Sequence, residues 1–188
     1  MADKWYSPHH SAEELYFSWW CDDMEDLIID KVFQPDSYIL AKPVTYELEN
    51  KKGTTDTKNL EQGHVYTPDA RLILKPEARP FFNIMGEPTT KERKNLPWLM
   101  ERSDGFEFMV EVKPSGYDPH NMLRLAKINQ KWVYEKYGVL VNICRIGNAA
   151  KTFFDHTFCP QRYIKCDKNT DRDRKIHFDI KSKDSFLS

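Results

Sequence analysis

The hydrophobic pattern is sharpest at residues 106–113, where Phe106, Phe108, Val110 and Val112 alternate with Glu107, Met109, Glu111 and Lys113. Strict alternation predicts a strand with four apolar side chains on a core. The opposite face then carries a carboxylate and an ammonium two residues apart, near the strand end that Pro114 enforces. Residues 70–74, apolar throughout except for Arg71, predict a second strand, and residues 37–40 and 44–48 predict two short ones divided by Lys42-Pro43. The polar turn at 51–56 makes the second of these part of a hairpin leading to Tyr66.

Two helices complete the pattern. Ser11 followed by Glu14 forms a capping box, and Leu15, Trp19, Met24, Leu27 and Ile28 give the buried stripe of the helix behind it. A second helix is expected over about 120–137, with Leu123, Ala126, Ile128, Trp132 and Val133 inward and Gly138 as its stop. The continuous apolar run 139–144 predicts a buried strand. Beyond it, 151–154, 162–165 and 175–178 read as short strands, the last two joined by a charged turn over 167–174. The expected class is α/β (α+β), a mixed central sheet flanked by helices. One domain is expected over 1–150, with an insertion at about 75–105 and a β-rich extension over 151–188 packed on the same domain.

Composition narrows the functional classes. With 188 residues, 40% hydrophobic and 13% aromatic, the chain can bury a sizeable core. No apolar run approaches the roughly 20 residues that span a bilayer, and the first residues lack a signal-peptide core, so no membrane association and a cytoplasmic location are expected. Cys21, Cys144, Cys159 and Cys166 show neither C-x-x-C spacing nor a disulfide pattern. The formal net charge of −1 conceals a division: residues 1–63 hold 6 Lys/Arg against 13 Asp/Glu, and residues 113–175 hold 13 against 6. A basic half suits a phosphate-backbone binder, whereas the alternative is a solvated surface. Gly-rich phosphate loops, nucleophile elbows and zinc spacings are absent.

The chemistry concentrates in two stretches. Pro68-Asp69 precedes the strand 70–74, and Glu111-Val112-Lys113 ends the strand 106–113. Two carboxylates can bind a hard divalent cation that keeps several waters and accepts phosphate oxygens, with Lys113 beside them to orient water or offset phosphate charge. In these residues the chain resembles the PD-(D/E)XK, or restriction-endonuclease-like, nuclease superfamily. Phage junction-resolving and transposon-end-cutting branches are the closest in motif order. The resemblance covers about residues 11–146. It implies a helix followed by a meander of strands, with Mg2+ or Mn2+ held by Asp69 and Glu111. Lys113 would position water or polarise the phosphodiester.

The same resemblance extends to two helical positions. Ser-x-x-Glu helices open several of these nucleases and contribute their glutamate to the metal, so Glu14 joins the candidate set, with Glu13 as the neighbouring alternative and a helix cap as the plain reading. Gln130 and Tyr134 match a Gln-x-x-x-Tyr spacing that follows the lysine in recombination-type members. Asp69 and Glu111 are 42 residues apart, wider than in compact members, and the intervening segment carries Lys91, Arg93, Lys94 and Trp98 as candidate DNA contacts. Lys127, Lys131, Arg162 and Lys165, with Arg172 and Arg174, are further candidates for phosphate; His9 and His10 read as a leader. The implied activity is a Mg-dependent DNA endonuclease acting on double-stranded or branched DNA, with a homodimer left open. The alternative is an inactive nuclease-fold DNA-binding protein or a phage structural or assembly protein.

Overall fold

The computed structural model describes residues 9–82, 97–116, 121–165 and 173–187. The protein is a mixed α+β structure built on a five-stranded sheet. Helix α1 (Ala12–Asp23) leads into β1 (Ile28–Phe33), which pairs antiparallel with β6 (Ala70–Leu74). Next to β6 lies β8 (Gly105–Pro114), also antiparallel. On its far side β8 pairs first with the short β7 (Met100–Arg102) and then, in parallel, with β9 (Val141–Ile146). Helix α2 (Met122–Tyr137) supplies the crossover that a parallel pair requires.

Strand β8 divides the interior. Phe106, Phe108, Val110 and Val112 join Leu72, Leu74, Phe17, Trp20 and Met24 in the main core. Met109 faces the other way, into a smaller cluster with Leu40, Tyr66, Val133 and Val141. The alternation along 106–113 therefore survives unchanged. Helix α1 is turned by about one position from the expected stripe. Phe17, Trp20, Cys21 and Met24 are buried, whereas Leu15 and Trp19 are half-exposed. The helix is apolar around much of its circumference, so spacing alone left its rotation open, and Trp20 stacking on Phe158 sets it.

Three expectations are corrected. The first helix ends at Asp23, and Ile28, expected on its stripe, begins β1. A β-branched cluster at Ile28, Ile29 and Val32 carries that signal. In α2 the buried residues are Ala126, Asn129 and Val133, whereas Ile128 and Trp132 are substantially exposed. The tail contains no strand among the described residues. It forms two short helices, α3 (Phe153–His156) and α4 (Gln161–Lys165), and a 3-10 turn over Lys183–Phe186. Short apolar doublets such as Phe153-Phe154 and Tyr163-Ile164 do not distinguish helix from strand. Here Pro160 breaks any ladder and accepts from the Tyr163 N–H to open a helical turn.

Tail residues Phe158, Tyr163 and Ile164 lie in the main core. Tyr163 meets Tyr16 edge-on at 4.8 Å, and the Arg174 guanidinium lies over both rings. In the expected insertion, Pro76–Phe82 is a 3-10 helix whose Phe81 and Phe82 enter the core. Lys91, Arg93 and Lys94 lie outside the described residues, as do Cys166 and Arg172.

Gly105, at the β7–β8 turn, has φ +152°, and a Cβ there would lie 1.9 Å from the Leu74 carbonyl oxygen. Replacing it with alanine should destabilise the protein by roughly 2–4 kcal/mol, read as a lowered urea midpoint with an unchanged slope. An unchanged midpoint would show that the turn relaxes freely.

Candidate active site

The 42-residue gap between the two motifs closes through the β6–β8 ladder. Ala70 pairs with Val110, so Asp69 stands at the end of β6 beside the end of β8. Its N–H donates to the Val110 carbonyl at 2.9 Å, and its Oδ2 accepts from the Val112 N–H at 2.6 Å. The Gln34 side chain approaches Oδ1 at 3.5 Å, and the Gln34 N–H donates to the Asp69 carbonyl. Gln34 takes this position at φ 51°, a left-handed conformation uncommon outside glycine, asparagine and aspartate.

Glu111 and Lys113 occupy the face of β8 opposite the aromatic core. Glu111 is buried; its Oε1 lies 2.6 Å from Lys113 Nζ and its Oε2 accepts from the Tyr66 hydroxyl at 2.7 Å. Lys113 also donates to the Val112 carbonyl. Both charges thus have the partners that make such a pair tolerable away from water. Burial, and then the Glu111 charge beside it, pushes the Tyr66 hydroxyl far above its ordinary range, so it stays a neutral donor.

Asp69 lacks comparable compensation. Burial first and the neighbouring Glu111 charge second push its carboxyl up to about 7, against the Val112 N–H and Lys113. Glu14 adds to the same upward push, so its charge is felt at the site. Its own oxygens serve the capping box: Oε1 accepts from Ser11 Oγ and Oε2 from the His10 N–H, while Ser11 Oγ accepts from the Glu14 N–H. The contacts of Glu14 are those of the helix cap. Glu13 is half-exposed in the first turn of the same helix. His9, expected in a leader, packs edge-on against Phe33 at 5.6 Å.

The other sequence candidates are spread wider. Gln130 donates to the Val141 carbonyl at 2.6 Å, two residues before Ile143, the neighbour of Glu111 in β9. One N–H of its amide is thus engaged by backbone. Tyr134, Lys127 and Lys131 are exposed on α2. At three- and four-residue spacing the two lysines share the outward side of the helix with Tyr134. Arg162 lies within 3.5 Å of both Asp22 and Asp23 and also donates to the Trp19 carbonyl, which makes it a clamp between tail and α1. Lys165 is exposed at the end of α4. Trp98 is 43% exposed, with its N–H held by Asn142 Oδ1.

Sequence reasoning assigned no role to Tyr66, Gln34 or Arg145. Tyr66 had a signal, since it lies three residues before Asp69 and caps a short alternating run. Arg145 is the register partner of Lys113 across β8–β9, so it emerges on the same face, exposed and donating to the Ser115 carbonyl. Only the pairing reveals it.

Among the described residues, no three His, Cys, Asp or Glu side chains are grouped closely enough to hold a metal ion by themselves. Asp69 and Glu111 nevertheless fit a hard divalent cation. They offer oxygen donors only, and Asp69 experiences negative charge that Lys113 does not fully offset; magnesium characteristically takes one or two carboxylates and fills the rest with water and phosphate. No family model, curated protein or solved structure matches this chain significantly.

A carboxyl whose folded value lies above its unfolded one holds a proton that the unfolded chain has already released. Stability from this group is therefore full below about pH 4 and is lost as pH rises through about 7. Asp69→Asn should accordingly be more stable than the wild type at pH 8, by on the order of 1–3 kcal/mol, with the difference vanishing near pH 4. Paired urea titrations at the two pH values measure it; equal midpoints at pH 8 would refute the strain assigned to Asp69.

Proposed function

We propose that the protein is a divalent-metal-dependent DNA endonuclease of the PD-(D/E)XK type. The observation that carries this reading is the convergence of Asp69, Glu111 and Lys113 at one end of the β6–β8 pair, from positions far apart in sequence. Two further features support it. The order of a helix followed by three antiparallel strands carrying Asp69 and then Glu-x-Lys is the order that the resemblance implies. Arg145 beside Lys113 and the exposed lysines of α2 supply cationic side chains for a phosphate backbone.

In this reading Asp69 and Glu111 would hold a magnesium or manganese ion, which would supply Lewis-acid stabilisation of charge on the phosphate oxygens. The chain's own residues do the rest. The Val112 N–H and Gln34 fix the Asp69 carboxylate, while Tyr66 and Lys113 fix that of Glu111. Lys113 Nζ, on the same strand face, orients the attacking water or offsets charge on the phosphodiester. Water adds in line to phosphorus as the bond to the leaving oxygen breaks, the water giving up a proton to solvent and the leaving oxygen taking one from it. Glu14 contributes negative charge nearby, and Gln130 braces α2 against β9.

Supercoiled plasmid tests the reading. Nicking is expected with Mg2+ or Mn2+, is expected to stop with EDTA, and should fall at least about 100-fold in Lys113→Ala, while DNA binding persists. Binding without cutting under either metal would point to an inactive nuclease-fold binding protein. The absence of both cutting and binding would rule out the nucleic-acid reading. Metal fit has an independent readout: Mn2+ should raise the melting temperature of the wild type at pH 8 and leave that of Asp69→Asn unchanged.

A further inference from the structure

The cation of the Glu111–Lys113 pair is already committed inside the protein. Lys113 Nζ lies 2.6 Å from Glu111 Oε1 and donates to the Val112 carbonyl, and the Tyr66 hydroxyl holds the second Glu111 oxygen. Tyr66 ends β5 (His64–Tyr66), which pairs with β2 (Tyr38–Ala41) as the base of a two-stranded arm. Beyond that base the arm continues as an outer hairpin of β3 (Val44–Glu49) and β4 (Thr55–Glu61). The base is anchored, since Leu40 and Tyr66 are buried in the smaller core and His64 bonds Asn129 at 2.8 Å. An ion pair held this way is neutral as a unit. An incoming phosphodiester, which carries a full negative charge, needs a further cation.

The register of the parallel pair supplies it. Val112 is paired with Cys144 and Lys113 with Arg145. Cys144 and Ile146 enter the aromatic core with Val112, so alternation turns Arg145 to the opposite face, the one that carries Glu111 and Lys113. Neighbouring strands lie about 4.8 Å apart, which sets the Arg145 backbone one strand spacing from that of Lys113. Asp69 stands at the same end of the sheet, on the other side of β8.

Arg145 is also chemically unspent. Two other arginines on the central sheet each have a carboxylate, Arg71 with Asp30 and Arg102 with Asp104. Arg145 has no carboxylate partner among the described residues. A guanidinium offers five N–H donors, and here Nη2 donates to the Ser115 carbonyl at 2.6 Å. Ser115 follows directly on β8, so that bond draws the guanidinium back towards β8 and the site. The anchor is firm. The Ser115 N–H donates to the Ile146 carbonyl at 2.8 Å, and a Cβ on Gly147 would lie 1.7 Å from Ser115 Oγ. Glycine at 147 is what lets the two segments approach so closely. Exposed, unpaired arginines are ordinary on protein surfaces; this one is set apart by its place beside Lys113 and by the fork of donors it leaves free for an oxyanion.

We propose that Arg145 is the residue that grips the DNA phosphodiester at this site, its fork meeting two oxygens of one phosphate group while Lys113 stays with Glu111. The inference rests on the nuclease reading for its ligand, DNA, and deepens it. Of the two tasks open to Lys113, orienting water and offsetting phosphate charge, the second passes to Arg145. The feature recognised is the backbone phosphate, which every sequence shares, so the contact adds affinity and no base preference.

Binding and cutting are read separately. Anisotropy of a fluorescein-labelled DNA duplex in EDTA gives affinity over a range of salt, and supercoiled plasmid in Mg2+ gives nicking. Arg145→Gln should lower the slope of log affinity against log salt by about one and slow nicking at least about tenfold. Arg145→Lys should keep the slope, because it keeps the charge, and recover only part of the nicking, because it lacks the fork. Arg79→Gln, which removes an arginine already paired with Glu101, should change neither. Thermal melts by circular dichroism check that each variant stays folded, as expected for the exposed positions 79 and 145. An unchanged slope in Arg145→Gln, or an equal change in Arg79→Gln, overturns the inference even where the wild type cuts. A wild type that binds without cutting removes the nuclease reading, and the slope then still decides whether Arg145 grips phosphate. A wild type that does not bind DNA removes both.

Discussion

The antiparallel ladder between β6 and β8 is the contact on which the candidate site depends. By pairing Ala70 with Val110 it places Asp69 where its carboxylate can accept from the Val112 N–H. Without that register, Asp69 and Glu111 would sit on separate elements with no reason to sense one another. A slip of one residue would turn Glu111 and Lys113 into the aromatic core and Val112 out of it. The packing of Phe106, Phe108, Val110 and Val112 against α1 therefore selects the face on which the charged pair emerges.

Two opposing demands meet along β8. One face needs dry aromatic contacts, which Phe108, Phe82 and Trp20 provide in a connected set of ring contacts. The other must keep Glu111 and Lys113 away from solvent with their partners in place. Tyr66 makes that possible from outside the central sheet, donating to Glu111 from the base of the arm. Asp69 remains the strained member, its carboxyl raised by burial and by Glu111. A site that concentrates negative charge beyond what its own lysine offsets is suited to a cation; the strain and the proposed chemistry have the same origin.

The arm serves this site from its base. Tyr66 there holds Glu111, while Val44, Tyr46, Leu48 and Leu60 of the outer hairpin are exposed. The tail has a different role. Arg162 and Arg174 resemble phosphate-binding arginines in the sequence, yet they engage Asp22, Asp23, Tyr16 and Tyr163 and brace α1.

Periodicity was sufficient by itself wherever a pattern had one interpretation. The strand at 106–113, the capping box at Ser11 and Glu14, the helix ending before Gly138 and the strand after it were all legible, because alternation, cap chemistry and a left-handed glycine act within a few residues. The candidate trio was legible too, as motif order. The rotation of α1, the separate strand β1 and the helical tail were not, since continuous aromatic runs and short apolar doublets satisfy either period until a packing partner chooses. The placing of Asp69 beside the end of β8, the contacts of Tyr66, Gln34 and Arg145, and the hydrogen bond from Gln130 to a backbone carbonyl come from tertiary structure alone. Each depends on which strand lies beside which, and in what register, and long-range pairing leaves no local signal in the chain.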